Sequence, residues 1–166
     1  MTIRTLPTQG DQDAIAKILT ESGFFNDEEV EVGVSLIDEY LKEGERSGYS
    51  FLFAEEGGMV TGYTCYGPIP GTRFSWDLYW IAVDRNAQGR GIGQHLLLET
   101  EEAIRGQGGR RIYVETSSRP LYDRTRRFYE RSGYREEARL RSYYAPDDDK
   151  VLFVKWWEDD HDRPGS

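Results

Sequence analysis

Apolar residues near the start of the chain recur at intervals of three and four. In 11–21 they are Ala14, Ile15, Ile18 and Leu19, and in 27–41 they are Val30, Val34, Ile37 and Leu41. Such stripes predict two amphipathic helices. Asp11 or Asp13 is placed to cap the first, Asn26 or Asp27 opens the second, and Gly23 and Gly44 end them. A short strand at 2–6 comes before both. From residue 49 the pattern changes to strand: 49–55 and 59–66 flank the turn Glu56-Gly57-Gly58. After a loop with Pro68, Pro70 and Gly71, the run 73–83 is rich in Trp, Tyr, Ile and Val and reads as a central strand. A helix at 91–105 is stopped by Gly106, Gly108 and Gly109. A strand at 111–116, a helix at 122–131 ended by Ser132-Gly133, and two strands at 138–144 and 151–157 complete the pattern.

The predicted order is strand, two helices, three strands, helix, strand, helix, two strands. Strand–helix–strand crossovers beside hairpins imply an α/β fold with a mixed sheet. A length of 166 residues suits one core, so one domain is expected over 1–158, with a flexible tail at 159–166.

Composition narrows the function classes. Aromatics at 13% argue for a folded body. No run approaches the roughly 18 apolar residues of a membrane span, and Met1-Thr2-Ile3-Arg4 has no apolar core behind it to make a signal peptide. A single cysteine, Cys65, excludes an internal disulfide and a cysteine metal cluster, so a reduced cytoplasmic protein without metal is expected. The net charge of −9 argues against nucleic acid as partner. It suits a cationic substrate such as an amine, and equally suits solubility alone. Residues 27–45 and 158–162 are acidic, whereas 105–141 is rich in arginine.

The sharpest feature joins the strand ending at Val83 to the helix that follows. Gln88-Gly89-Arg90-Gly91-Ile92-Gly93 opens that helix, whose N-terminus carries unpaired N–H groups and partial positive charge. Glycines let backbone approach a phosphate closely, and Arg90 offers a charge-assisted hydrogen bond. No Lys-Ser/Thr follows, as in a nucleotide triphosphate loop, and residue 94 is Gln94 where the dinucleotide fingerprint needs glycine. A tight structural turn is the alternative.

The same six residues resemble the Gln/Arg-x-x-Gly-x-Gly/Ala signature of the GNAT superfamily of N-acetyltransferases. Downstream, Arg127-Phe128-Tyr129-Glu130-Arg131-Ser132-Gly133-Tyr134 is similar to its Phe-Tyr-x-x-x-Gly-Phe/Tyr segment. The resemblance implies a mostly antiparallel seven-stranded sheet, splayed between two parallel strands and flanked by about four helices. It implies acetyl-CoA as cosubstrate, with pantetheine along Ile81, Ala82 and Val83. The pyrophosphate would take N–H groups of Gln88, Gly89, Arg90, Gly91, Ile92, Gly93 and Gln94. Where the family often has an asparagine on the pantetheine arm, this chain has Tyr122.

Forming an amide from a thioester needs a neutral amine, a stabilised oxyanion and a proton for the thiolate. The resemblance places Tyr129 as the acid toward the thiolate. Asp77 stands mid-strand among Trp76, Leu78, Tyr79 and Trp80, where a charge is costly unless it faces a cleft. The resemblance makes it a candidate base acting through water, with Glu115 the second choice. A base-free water chain is the alternative. Arg124, Arg126 and Arg127 could reach phosphates or form a solvated face. Cys65 reads as a buried strand cysteine rather than a nucleophile for ping-pong transfer, so direct attack in a ternary complex is expected. The acceptor, a small amine or a peptide amine, would meet some of Phe24, Phe25, Glu28, Glu29, Tyr66, Pro68, Pro70, Trp76, Tyr143 and Tyr144. A non-catalytic acyl-CoA sensor is the competing class. A homodimer through Trp156-Trp157 is a further option, against burial of that pair in the core.

Overall fold

The computed structural model describes residues 1–158, and the expected tail at 159–166, with His161, lies outside the described residues. The strands are β1 (Thr2–Arg4), β2 (Ser50–Glu56), β3 (Met59–Pro68), β4 (Ser75–Val83), β5 (Arg111–Ser117), β6 (Arg135–Ala145) and β7 (Asp148–Trp156). The helices are α1 (Gly10–Ser22), α2 (Asp27–Glu43), α3 (Ile92–Gly106) and α4 (Asp123–Arg131). The element order is the one the periodicity predicts. One seven-stranded sheet runs β1-β2-β3-β4-β5-β7-β6. β4 and β5 pair in parallel, whereas β1–β2, β2–β3, β5–β7 and β6–β7 pair antiparallel. The β4–β5 ladder spans only Ser75↔Arg111 to Asp77↔Tyr113, so residues 78–83 of β4 take no part in it.

The chain gathers into two compact units: Met1–Pro68 with Leu78–Ala103, and Ile69–Asp77 with the chain from Ile104 onward. In the first, Ile15, Leu19 and Ile37 pack with Phe51, Phe53, Tyr63 and Cys65 into a closed core. The Asn26 side chain caps α2 by accepting the Glu29 N–H at 2.8 Å. The N-terminus of α1 departs from expectation, because Gln9 holds the cap position without a side-chain bond. Asp11 is instead buried, receiving Arg4 at 2.7 Å and the Thr8 N–H at 2.6 Å. A short polar residue near a helix start caps it unless a fixed cation competes, and Arg4, also paired with Glu55 at 2.7 Å, is that cation.

Close backbone approach sets one position absolutely. A Cβ on Gly67 would lie 2.1 Å from the carbonyl oxygen of Gly48. Backbone cannot rotate aside as a side chain can, so Gly67→Ala is expected to cost about 3 kcal/mol of stability. The midpoint of urea unfolding measures it, and a midpoint equal to that of the parent protein contradicts it.

In the second unit, β5 and β7 pair without a break from Arg111↔Trp156 to Ser117↔Lys150. α4 lies against one face, with Tyr129 packed on Phe153. β6 is the outer strand, and it breaks register between Glu136 and Ala138 and again between Leu140 and Ala145. Its exposed Arg135, Glu136, Glu137, Arg139 and Arg141 blunt the free edge against strand addition. Trp156 is partly exposed, with the Arg111 and Arg135 guanidiniums over its ring at 5.3 and 4.9 Å.

Candidate active site

The glycine loop lies in the first unit. Asp84, the residue after β4, accepts the Asn86 N–H at 2.8 Å, and its own N–H donates to Thr61 O at 2.8 Å. This pins a single 3-10 turn, Arg85–Ala87, with Ala87 buried beneath it. The Gln88 amide then donates to Val83 O at 3.3 Å. Gly89 and Gly91 have φ of 77° and 80°, and a Cβ on either would meet nothing within 4 Å. Their glycine requirement is therefore one of backbone conformation, and the space beside them is open. Residues 88–91 are exposed, and α3 begins at Ile92. Helix geometry leaves the N–H groups of Ile92 and Gly93 without carbonyl partners four residues back, whereas the His95 N–H donates to Gly91 O at 3.0 Å. Gly62 of β3 seats this helix, because a Cβ there would meet Leu96 at 3.0 Å and Ile92 at 3.3 Å.

Arg90 departs from expectation. Its Nη2 binds both oxygens of Glu56 at 2.8 Å. An exposed pair of this kind is worth at most about 1 kcal/mol, so it holds the side chain only weakly. What the loop presents to open space is mainly its backbone. Ile81, Ala82 and Val83 lie half-buried just before it, in the part of β4 beyond the parallel ladder.

The other candidate residues lie in the second unit. Tyr129 is buried, its ring centroid 5.4 Å from Phe128, 5.6 Å from Tyr134 and 6.1 Å from Phe153. Burial pushes its phenol well above the ordinary tyrosine value. Tyr122, half-buried, stands at the N-cap of α4, with its N–H on Arg119 O at 2.9 Å. Arg126, considered for the coenzyme's phosphates, is engaged within the protein. It donates to the carbonyls of Ser117 and Arg119 and pairs with Asp123, fixing the loop between β5 and α4.

Asp77 and Glu115 share one face of the sheet. Asp77 pairs with Tyr113 across β4–β5, and Glu115 lies two residues beyond Tyr113 on the same side of the pleat. Asp77 is half-buried, and its carboxyl is held above the usual range by burial and by the negative charge of Glu115, partly offset by Lys150. Glu115 Oε1 receives Lys150 Nζ at 2.8 Å. Glu115 pairs with Leu152 while its neighbour Val114 pairs with Phe153. Pleat alternation therefore puts Tyr129, packed on Phe153, on the opposite face from Asp77 and Glu115.

Lys150 and the shape of the last hairpin escape sequence reading. Ser142 adopts a left-handed φ of 52°, held by its N–H on Asp149 Oδ1 at 2.8 Å and its hydroxyl on Pro146 O at 2.9 Å. The resulting bulge sets out Tyr143 and Tyr144, rings 5.0 Å apart, with Lys150 Nζ 4.5 Å from the Tyr143 ring centre. The register that joins Lys150 to Glu115 has no signature along the chain.

The residues considered for the acceptor differ in exposure. Tyr66 and Trp76 are buried, and Phe25 packs edge-on against Trp80 at 5.0 Å. Cys65 is fully buried, and that burial raises its thiol well above the ordinary value, which removes it as a nucleophile. Among the described residues, no helix is long and apolar enough to cross a membrane.

Comparison with known proteins identifies the class. The model of the Acetyltransferase (GNAT) family matches residues 13–134, which run through both units. A protein from Desulfovibrio desulfuricans assigned to the GNAT acetyltransferases is 41% identical, covering 93% of this chain and 98% of its own, with a TM-score of 0.92. Two further structures share the fold at lower identity. An aminoglycoside 6'-N-acetyltransferase complexed with coenzyme A is 19% identical over 99% of both chains, with a TM-score of 0.76. A ribosomal-protein-alanine N-acetyltransferase from Brucella melitensis is 24% identical, covering 95% of this chain and all of its own, with a TM-score of 0.73. No curated protein matches the chain. The chain belongs to the GNAT family of acetyltransferases.

Proposed function

We propose that this acetyltransferase moves the acetyl group of acetyl-CoA to a primary amine by direct attack in a ternary complex. The loop at 88–93 carries the reading: two left-handed glycines expose backbone to open space at the start of a fifteen-residue helix. An anionic pyrophosphate suits that geometry. The backbone of Ile81, Ala82 and Val83, outside the β4–β5 ladder, is suited to pair with the pantetheine arm. When bound, acetyl-CoA supplies an electrophilic thioester carbonyl.

Asp77 takes the proton of the incoming ammonium, directly or through water. Its raised affinity for protons brings it nearer to neutral pH than an ordinary aspartate and makes it the better base. Glu115 contributes by repelling negative charge from Asp77 rather than by accepting the proton itself, since it is committed to Lys150. Tyr129 offers its hydroxyl to the departing sulfur. Direct attack fits the buried state of Cys65.

Thiol release with a panel of primary amines, beside calorimetry with acetyl-CoA, tests this reading. The kcat/KM of the accepted amine should fall on the acidic side, as pH drops through the raised Asp77 value and the base becomes protonated. Asp77→Asn should lower kcat about 100-fold and flatten that limb. An unchanged acidic limb in the variant assigns the base elsewhere.

A further inference from the structure

The sheet face that carries Asp77 and Glu115 continues past them to the start of β5 and the end of β7. Ser75 pairs with Arg111 as Asp77 pairs with Tyr113, so Arg111 shares this face with Tyr113 and Glu115. Trp156, the partner of Arg111 on β7, stands there too, and Arg135, paired with Val154, reaches it from β6. Two guanidiniums thus gather on one ring, that of Arg111 5.3 Å and that of Arg135 4.9 Å from its centre. A guanidinium over a ring turns its flat face to the aromatic and keeps its edge of N–H donors for an anion. Among the described residues, no carboxylate pairs with either one.

The acids of this face are directed elsewhere. Glu115, four positions along β5 from Arg111, holds Lys150 at 2.8 Å. Asp148 lies eight positions from Trp156 along β7, roughly 26 Å away, and accepts the Ser117 hydroxyl. Beside Arg135, Glu136 holds Arg139 at 3.1 Å, and the exposed Glu137 stands in the bulge of β6. Glu158 lines a cavity of about 220 Å³ with Arg110 and Arg111, one acid against two cations. Asp77 is two positions from Arg111 in register, yet the charges that act on it are those of Glu115 and Lys150. The Arg111 guanidinium is turned from Asp77 toward Trp156. From Asp77 to Arg111 the sheet spans two strand positions, about 7 Å, and one strand spacing, about 5 Å. A short carbon chain bridges that gap.

We propose that Arg111 and Arg135, gathered on Trp156, bind an anionic group of the acceptor, a carboxylate or a phosphate, while the acceptor's amine lies at Asp77. The preferred acceptor is then a small amine that carries an acid at the far end of a short chain. This rests on the reading of Asp77 as the base on the acceptor face. It makes Arg111 and Arg135 specificity-determining residues with no part in proton transfer.

Hexylamine and 6-aminohexanoate share a six-carbon chain and differ in the carboxylate, and 6-aminohexyl phosphate carries a phosphate instead. In a thiol-release assay the parent protein should use at least one of the two anionic amines about tenfold better than hexylamine in kcat/KM, through a lower KM; which of them it is decides between carboxylate and phosphate. Arg111→Met should raise the KM of that anionic amine about tenfold and leave the hexylamine kcat unchanged. Should Arg111→Met fail to fold, Arg135→Met, at an exposed position, should move the ratio in the same direction. Hexylamine used as well as both anionic amines by the parent protein, or a ratio unmoved within twofold in the arginine variant, overturns the inference while the role of Asp77 stands. Asp77→Asn keeps the two readings apart, because it should lower kcat for all the amines alike. If Asp77→Asn turns over at the parent rate, or no amine of the series is used although calorimetry shows acetyl-CoA bound, the inference falls together with the reading of Asp77.

Discussion

Replacing Gly91 by glutamate is expected to weaken acetyl-CoA binding about 100-fold or more, and Gly91→Ala separates the two reasons. At φ of 80°, any side chain at this position carries backbone strain of about 1–2 kcal/mol. No neighbour lies within 4 Å of a Cβ there, so alanine adds strain and no clash. Glutamate adds a negative charge at a helix N-terminus proposed to receive pyrophosphate. Losing one charge-assisted hydrogen bond removes about 1.5–3 kcal/mol, and the helix-terminus attraction adds about 0.3–1 kcal/mol. The total, about 3 kcal/mol, corresponds to about a 100-fold rise in Kd. Calorimetry should show that loss for Gly91→Glu and a much smaller one for Gly91→Ala, with both variants melting somewhat lower. A Kd for Gly91→Glu within threefold of the parent protein would return the loop to the status of a structural turn.

Tyr129→Phe is expected to lower kcat about 100-fold while leaving the acetyl-CoA Kd unchanged. The change removes one oxygen and keeps a ring packed among Phe128, Tyr134 and Phe153, so the fold should hold. The magnitude sits at the low end for proton-donating groups, for a reason visible in the structure. Burial drives the Tyr129 phenol well above its ordinary value, whereas an aliphatic thiol ionises near 8.5. Complete proton transfer from Tyr129 to a thiolate is therefore uphill. The hydroxyl stabilises the leaving sulfur by donating a hydrogen bond, a weaker contribution than full acid catalysis. Single-turnover rates with the accepted amine measure it, and an unchanged kcat makes Tyr129 a core residue that happens to sit in the family's segment.

Along the chain alone, only local features are legible. The stripes of α1 and α2, the alternation of β2 and β3 and the glycine punctuation specify the element order, since each depends on residues within a turn or strand of one another. The loop at 88–93 was legible for the same reason: strand end, glycines and helix start are contiguous. Even so, Arg90 looked free to meet a phosphate, and its partner Glu56 lies 34 positions earlier. Asp11 looked like a helix cap until Arg4 claimed it. The second half of the site depended on register. Asp77 and Glu115 entered as rival bases, and only the pairing of Asp77 with Tyr113 places them together on one face. Lys150 carries no mark along the chain, because its meaning comes from the β5–β7 ladder, which aligns it with Ser117 and sets it on Glu115. That same pleat sends Tyr129 to the other face. The pleat period is local, but strand pairing is a tertiary fact: a shift of one residue in register would exchange the faces without altering a single local propensity.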